Sequence, residues 1–186
     1  AIGPYDLGCH YMEHKVQQAE AMKGAKKRIL EVAAQFAALT GREYGLFEAY
    51  RMEDAEIALV LIGSSAGTAK VTVDALRARG IPAGLVKIRV FRPFPAEELA
   101  QTLKNVKALA ILDKAESFSA QGGPLFAEVR AALYDLEPRP RTVGYVYGLG
   151  GRDITPAHFA SVFARLEAIA AGGELGPVYS HLGQRG

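Results

Sequence analysis

Residues Ile57–Lys70, IALVLIGSSAGTAK, decide how this chain is read. Six apolar residues without a polar break, closed by a glycine, indicate a strand buried on both faces. The bend that follows leads into a helical pattern from Gly67 to Arg79, so the stretch is a strand–turn–helix unit. The first N–H groups of such a helix lack intrahelical partners, which makes the bend either an anion cradle or a plain turn. A phosphate loop needs four residues between its glycines and a lysine directly after the second. Here three residues separate Gly63 from Gly67, and Lys70 comes three positions after Gly67 instead of one. The dinucleotide pattern fails too, because Ser65 holds the second glycine position, and Arg89 and Arg92 stand where an acidic residue is needed. A structural turn is the first reading, and an anion contact the second.

Outward from this unit the same grammar repeats. Apolar runs at Ala83–Phe91, Ala108–Leu112 and Thr142–Tyr147 alternate with helical patterns at Ala96–Lys104, Pro124–Leu136 and Pro156–Ala171. Alternation of this kind predicts an α/β fold, a mainly parallel sheet with helices on both faces. Gly80 closes the Gly67–Arg79 helix and Pro95 opens Ala96–Lys104, while Thr155 followed by Pro156 supplies a cap and a proline at the first helical position of the last. Phe47–Met52 reads as an edge strand. Upstream, Met12–Leu39 predicts a long helix, with Gly24 as a bend, Gly41 as its C-cap and the basic run Lys26, Lys27, Arg28 on its solvated side. The expected division is a linker, long helix and edge strand in 1–54, the α/β domain in 55–172 and a tail in 173–186. The opening residues, AIGPYDLGCHY, read as the middle of a longer chain.

Composition narrows the function classes. With 186 residues and 49% apolar content the chain supports a real core. Its 22 basic and 20 acidic residues are interspersed, so the dense basic face of a nucleic-acid binder is not expected. No run approaches the roughly 18 apolar residues of a membrane helix, and a cytoplasmic location is expected. The single cysteine, Cys9, forms no internal disulfide and cannot alone hold an iron–sulfur cluster.

Loops after parallel strands share one edge, where ligands or partners sit. Here they are GSSAGT, FRPFP, DKAESFSAQGG and GLGGRDIT. Candidate contact or interface residues on that edge are Gly63, Ser64, Ser65, Thr68, Gly150, Gly151, Arg152 and Asp153. Asp113, Glu116 and Ser117 offer carboxylates, but with no histidine or cysteine visibly placed beside them they read as polar strand ends rather than an acid–base pair. HYMEH, His10–His14, matches a zinc-protease pattern literally, yet no third ligand is marked downstream and it reads as a polar helix start. No catalytic residue and no metal ligand is assigned.

Taken in order, GREYGLFEAYRMEDAEIALVLIGSSAGTAK, VDALRARGIPAGLVKIRVFRPFP, LDKAESFSAQGGPLF and GLGGRDIT resemble the C-terminal part of the α chain, or its equivalent, in pyruvate:ferredoxin oxidoreductases. The resemblance runs from about Tyr11 to Ala171. It departs at Lys114, where an arginine is expected, and in SFSAQGG, which varies a Gly-rich loop. It implies a core similar to the C-terminal domain of transketolases, and a non-catalytic assembly role in an enzyme that converts a 2-oxo acid and coenzyme A to acyl-CoA and CO2 while reducing ferredoxin. Thiamine diphosphate, magnesium and iron–sulfur clusters would then lie in other domains or subunits, which would be this chain's partners. A free-standing module binding a phosphorylated small molecule is the alternative.

Overall fold

The computed structural model describes residues 8, 10–118 and 121–185. Its elements are α1 (Tyr11–Thr40), β1 (Phe47–Tyr50), β2 (Ile57–Ile62), α2 (Ser65–Arg77), β3 (Ala83–Ile88), α3 (Ala96–Leu103), β4 (Ala108–Asp113), α4 (Pro124–Leu133), β5 (Arg141–Val146), a 3-10 turn (Leu149–Gly151), α5 (Pro156–Ala170) and β6 (Tyr179–His181). The chain divides into two units: one holds α1 up to Leu46 together with Val90–Pro95, the other Phe47–Arg89 with residues from Ala96 onward.

In the first unit α1 runs unbroken through Gly24 and ends at Gly41, whose φ of 68° lets its N–H close on the Ala37 carbonyl. None of its residues is buried, and Val32, Leu39 and Met12 are among its exposed apolar side chains.

The second unit is a six-stranded sheet in the order β1-β3-β2-β4-β5-β6, parallel except for the antiparallel edge strand β1. Apolar runs fill its middle: every residue of β4 is buried, and all of β2 but Ile62. Right-handed crossovers that step from β2 to β3 and then back past β2 to β4 place α2 and α3 on opposite faces. α4 packs beside α3, as that rule requires, whereas α5 packs beside α2, so the β5–α5–β6 connection runs against it. Phe159, Phe163 and Leu166 anchor the α2–α5 side, with Leu99, Leu103 and Phe126 buried as well. Burying one such side chain contributes roughly 1.5–3 kcal/mol.

Three boundaries differ from the sequence pattern. β3 stops at Ile88 instead of reaching Phe91; Val90 donates its N–H to the Leu46 carbonyl one residue out of the register that pairs Phe47 with Ile88. α4 stops at Leu133 rather than Leu136, ahead of Pro138 and Pro140. Residues 173–186, read as a tail, contain β6, which pairs with β5 through Gly144↔Tyr179 and Val146↔His181.

Arginines hold that last segment in place. Arg141 donates to the carbonyls of Ile169 (3.1 Å) and Gly173 (2.6 Å). Arg165 donates to the carbonyls of Leu175 (2.8 Å) and Pro177 and to the Tyr145 hydroxyl (2.8 Å). Arg152 donates to the Gly183 carbonyl at 2.7 Å. Each guanidinium replaces hydrogen bonds that an irregular backbone would otherwise need from water.

Candidate functional site

The strand order reverses between β2 and β4, so the crevice outside their C-terminal ends is where an open α/β sheet places ligands. At β2 the chain turns on Gly63, at φ 90°, into α2. Ser64 is exposed and its side chain caps nothing; Ser65 is buried and Thr68 half-buried.

Across the crevice, the expected polar strand end Asp113 has a defined task. Its buried carboxylate accepts the N–H of Leu125 (3.1 Å) and of Phe126 (3.0 Å), closing the N-terminus of α4 with an internal anion. Burial pushes its pKa up, and the two N–H donors offset this only in part. Gly123 makes the approach feasible, since a Cβ there would meet the carboxylate at 2.5 Å.

Glu116 is tied just as firmly. It pairs with His181 Nε2 at 2.7 Å, accepts the Tyr179 hydroxyl at 3.3 Å and the Ser117 N–H at 3.0 Å. The His181 contact, followed by the Ser117 N–H, holds its carboxyl below the usual range. His181 and Tyr179 come from β6, so this cluster is absent from any local motif. Only the pairing of β6 with β5 brings it to the edge.

Beyond β5, Tyr147 is buried, and among the described residues its hydroxyl makes no full hydrogen bond, although the Ser65 hydroxyl lies beside it. Burial raises its pKa; Ser65 counteracts this and the Asp113 charge adds to it. Lys114 lies over the Tyr147 ring, 5.4 Å from its centre. Gly148, Gly150 and Gly151 all have positive φ, from 65° to 78°, which turns the chain sharply enough to bring Arg152 onto Gly183. Asp153 stays exposed, and α5 is capped by the reciprocal pair of Thr155 and His158. Tyr147, Leu149, Arg152, His181 and Gln184 line a cleft of about 340 Å³.

Of the candidate residues Arg152 lines this cleft, Gly150 and Gly151 lie in the adjoining 3-10 turn, and Gly63, Ser64, Ser65 and Thr68 sit in a separate turn that meets the cleft wall where Ser65 lies beside Tyr147. His10 occupies the N-cap position of α1 without a side-chain capping hydrogen bond, and its ring lies 6.4 Å from that of His14. Among the described residues no three of histidine, cysteine, aspartate and glutamate converge as a metal site, and Cys9 lies outside them. With one cysteine in the chain, the donor set does not fit an iron–sulfur cluster. No helix among the described residues is long and apolar enough to cross a membrane.

Comparison with known proteins adds a family and relatives. Residues 55–159 match the model for pyruvate:ferredoxin oxidoreductase core domain II. The chain is similar to pyruvate synthase subunit PorA of Thermotoga maritima, 48% identical over 87% of this chain and 41% of that protein. Similarity to PorA of Methanothermobacter thermautotrophicus is 44% over 90% of this chain and 42% of that one. Ketoisovalerate oxidoreductase subunit VorA of Pyrococcus horikoshii is 38% identical over 94% and 44%. The chain spans about two-fifths of the length of these relatives. Among solved structures, a split-gene transketolase in its inactive beta4 tetramer shares the fold, with a TM-score of 0.53 and 16% identity over 67% of this chain and 43% of that one.

Proposed function

Because the chain belongs to the pyruvate:ferredoxin oxidoreductase core domain II family, we propose that it is the non-catalytic assembly segment of a 2-oxo-acid:ferredoxin oxidoreductase, with its strand edge packed against a neighbouring domain or subunit. The whole enzyme would convert a 2-oxo acid and coenzyme A to acyl-CoA and CO2 and pass electrons to ferredoxin in the cytoplasm. Thiamine diphosphate, magnesium and iron–sulfur clusters belong, on this reading, to other parts of the enzyme, and no step is routed through this chain.

One observation carries the proposal: three ionisable groups at the edge, Asp113, Glu116 and Arg152, are bound to the fold itself. Asp113 caps α4, Glu116 holds His181, and Arg152 holds Gly183. A general acid or base must reach a substrate proton, and these groups are engaged elsewhere. What the edge presents instead is a shaped surface, with Ile62 and Leu149 about 40% and 45% exposed. Gly63, Ser64, Ser65, Thr68, Gly150, Gly151, Arg152 and Asp153 are its contact residues on this reading, and 55–172 is the α/β domain that bears it.

Calorimetry of the chain with coenzyme A, thiamine diphosphate and nucleotides tests the proposal. No heat of binding at micromolar ligand is expected. Micromolar binding of any of them, abolished by Arg152→Ala, would replace the assembly role with a phosphorylated-ligand module seated in the 340 Å³ cleft.

A further inference from the structure

The outward face of α4 carries Ala127, Arg130, Ala131 and Tyr134, all exposed, Tyr134 by 70%. Their spacing of three, four and seven residues makes one stripe along the helix. Two clefts meet on this stripe and share Arg130 and Tyr134. The first, about 760 Å³, follows the helix to Phe126; the second, about 310 Å³, drops between Tyr134 and the sheet side at Arg141 and Val178.

The walls are held in place before anything binds. Arg130 lies over the Phe126 ring, 5.3 Å from its centre, and donates to Gln121. Arg139 lies over the Tyr134 ring at 5.5 Å and donates to the Tyr134 carbonyl at 2.9 Å. Charge is unevenly balanced: Arg139 has Glu137 at 3.9 Å and Asp135 lines the first cleft. Arg130 meets only an amide and a ring, and Arg141 only carbonyls, so among the described residues neither meets a carboxylate.

We propose that this groove seats an amphipathic helix of a partner subunit, small or aliphatic where it meets Ala127 and Ala131 and carrying a carboxylate that pairs with Arg130. The proposal rests on the assembly reading and adds the chemistry of one partner. Alanines four residues apart let a second helix approach α4 closely, within the usual interaxial range of roughly 8–10 Å. Covering Arg130 removes it from water, and a carboxylate meeting its fork geometry offsets that loss. A two-fold contact centred between residues 132 and 133 would set Arg130 against Asp135 of a second copy, and the crosslink below separates that occupant from a partner helix. A nucleic acid would also meet the groove's arginines, and the crosslink below separates it from a partner helix.

The test uses the intact assembly as purified, with a benzophenone amino acid replacing Ala131 and, in a separate sample, Ser64. The expected result is a crosslink from position 131 to a single helical segment of another subunit, with an aspartate or glutamate within one turn of the linked residue. Arg130→Glu should then weaken assembly roughly tenfold or more, and reversing the partner carboxylate to arginine should restore it. Arg130→Gln, with an unchanged melting temperature, guards against a folding defect. Crosslinks from position 131 confined to this chain, to a second copy, to nucleic acid or to a segment without carboxylates would overturn the proposal. Silence at 131 with a partner crosslink from 64 would overturn it while leaving the assembly reading intact. Silence at both would remove both.

Discussion

Replacing Gly144 with alanine should loosen β6 and α4 together. An ideal Cβ on residue 144 would lie 2.8 and 2.9 Å from ring carbons of Phe126, and 2.9 Å from one of Tyr179. Ordinary carbon–carbon contact is roughly 3.5–4.0 Å, so the rings must retreat by roughly 0.6–1.2 Å. Phe126 is 1% exposed at the start of α4, and Tyr179 is fixed by its pairing in β6 and by Glu116, so neither ring swings away freely. Overpacking of this kind costs roughly 1–3 kcal/mol. Removing the conformational freedom of glycine from the unfolded chain offsets roughly 0.4–1 kcal/mol of that. The net loss is ~1–2 kcal/mol, which lowers the melting temperature of a chain this size by roughly 2–8 °C. Urea unfolding should show a lower midpoint with an unchanged slope. A double-mutant cycle with Phe126→Leu identifies the cause, because Gly144→Ala should then cost less by ~0.5 kcal/mol or more. An equal or higher midpoint for Gly144→Ala, or strict additivity with Phe126→Leu, would refute the reasoning.

Asp113→Ala leaves two buried N–H groups without an acceptor and should destabilise by roughly 1–3 kcal/mol. Because the folded pKa of Asp113 lies above its ordinary 3.8, proton binding favours the folded state at low pH, and that contribution fades as pH rises through the raised value. Urea unfolding from pH 3.5 to 7 should therefore show Asp113→Asn gaining on the wild type with rising pH; parallel curves would contradict this. For Glu116 the sign is opposite: its lowered pKa gives a contribution present above its ordinary 4.5 and lost as pH falls through the folded value. Glu116→Gln should remove that dependence and speed hydrogen exchange of the Leu182 amide, which bonds to the Val146 carbonyl at 2.8 Å. Arg165→Met should expose residues 172–178 to limited proteolysis, with Arg165→Lys rescuing only in part because an ammonium lacks the planar fork. Equal protection in all three proteins would remove the arginine clamp from the account.

Much of the α/β frame is written in local pattern. Ile57–Ile62 and Ala108–Leu112 are too apolar for anything but central strands, and Thr155-Pro156 and Gly41 mark helix ends through their own backbone geometry. Strand β6 was invisible because Tyr179–His181 is three residues long, half polar, and has no alternation of its own. Its existence depends on β5 offering a free edge and on Arg165 and Arg141 holding the backbone that leads to it. The site divides in the same way. Gly63, Gly150 and Gly151 announce tight turns by residue type, and their positive φ values follow from the absence of a Cβ.

By itself, then, the sequence determined the order of strands and helices, the shared edge and the family, because apolar period and turn residues act over a few neighbours. Only the tertiary structure decided that Asp113 serves α4, that Glu116 belongs to His181 across 65 positions of chain, and that Arg152 is committed to Gly183. These contacts join residues far apart in the chain, and a hydrogen bond of about 3 Å depends on where the backbone has already been carried, which no local pattern encodes.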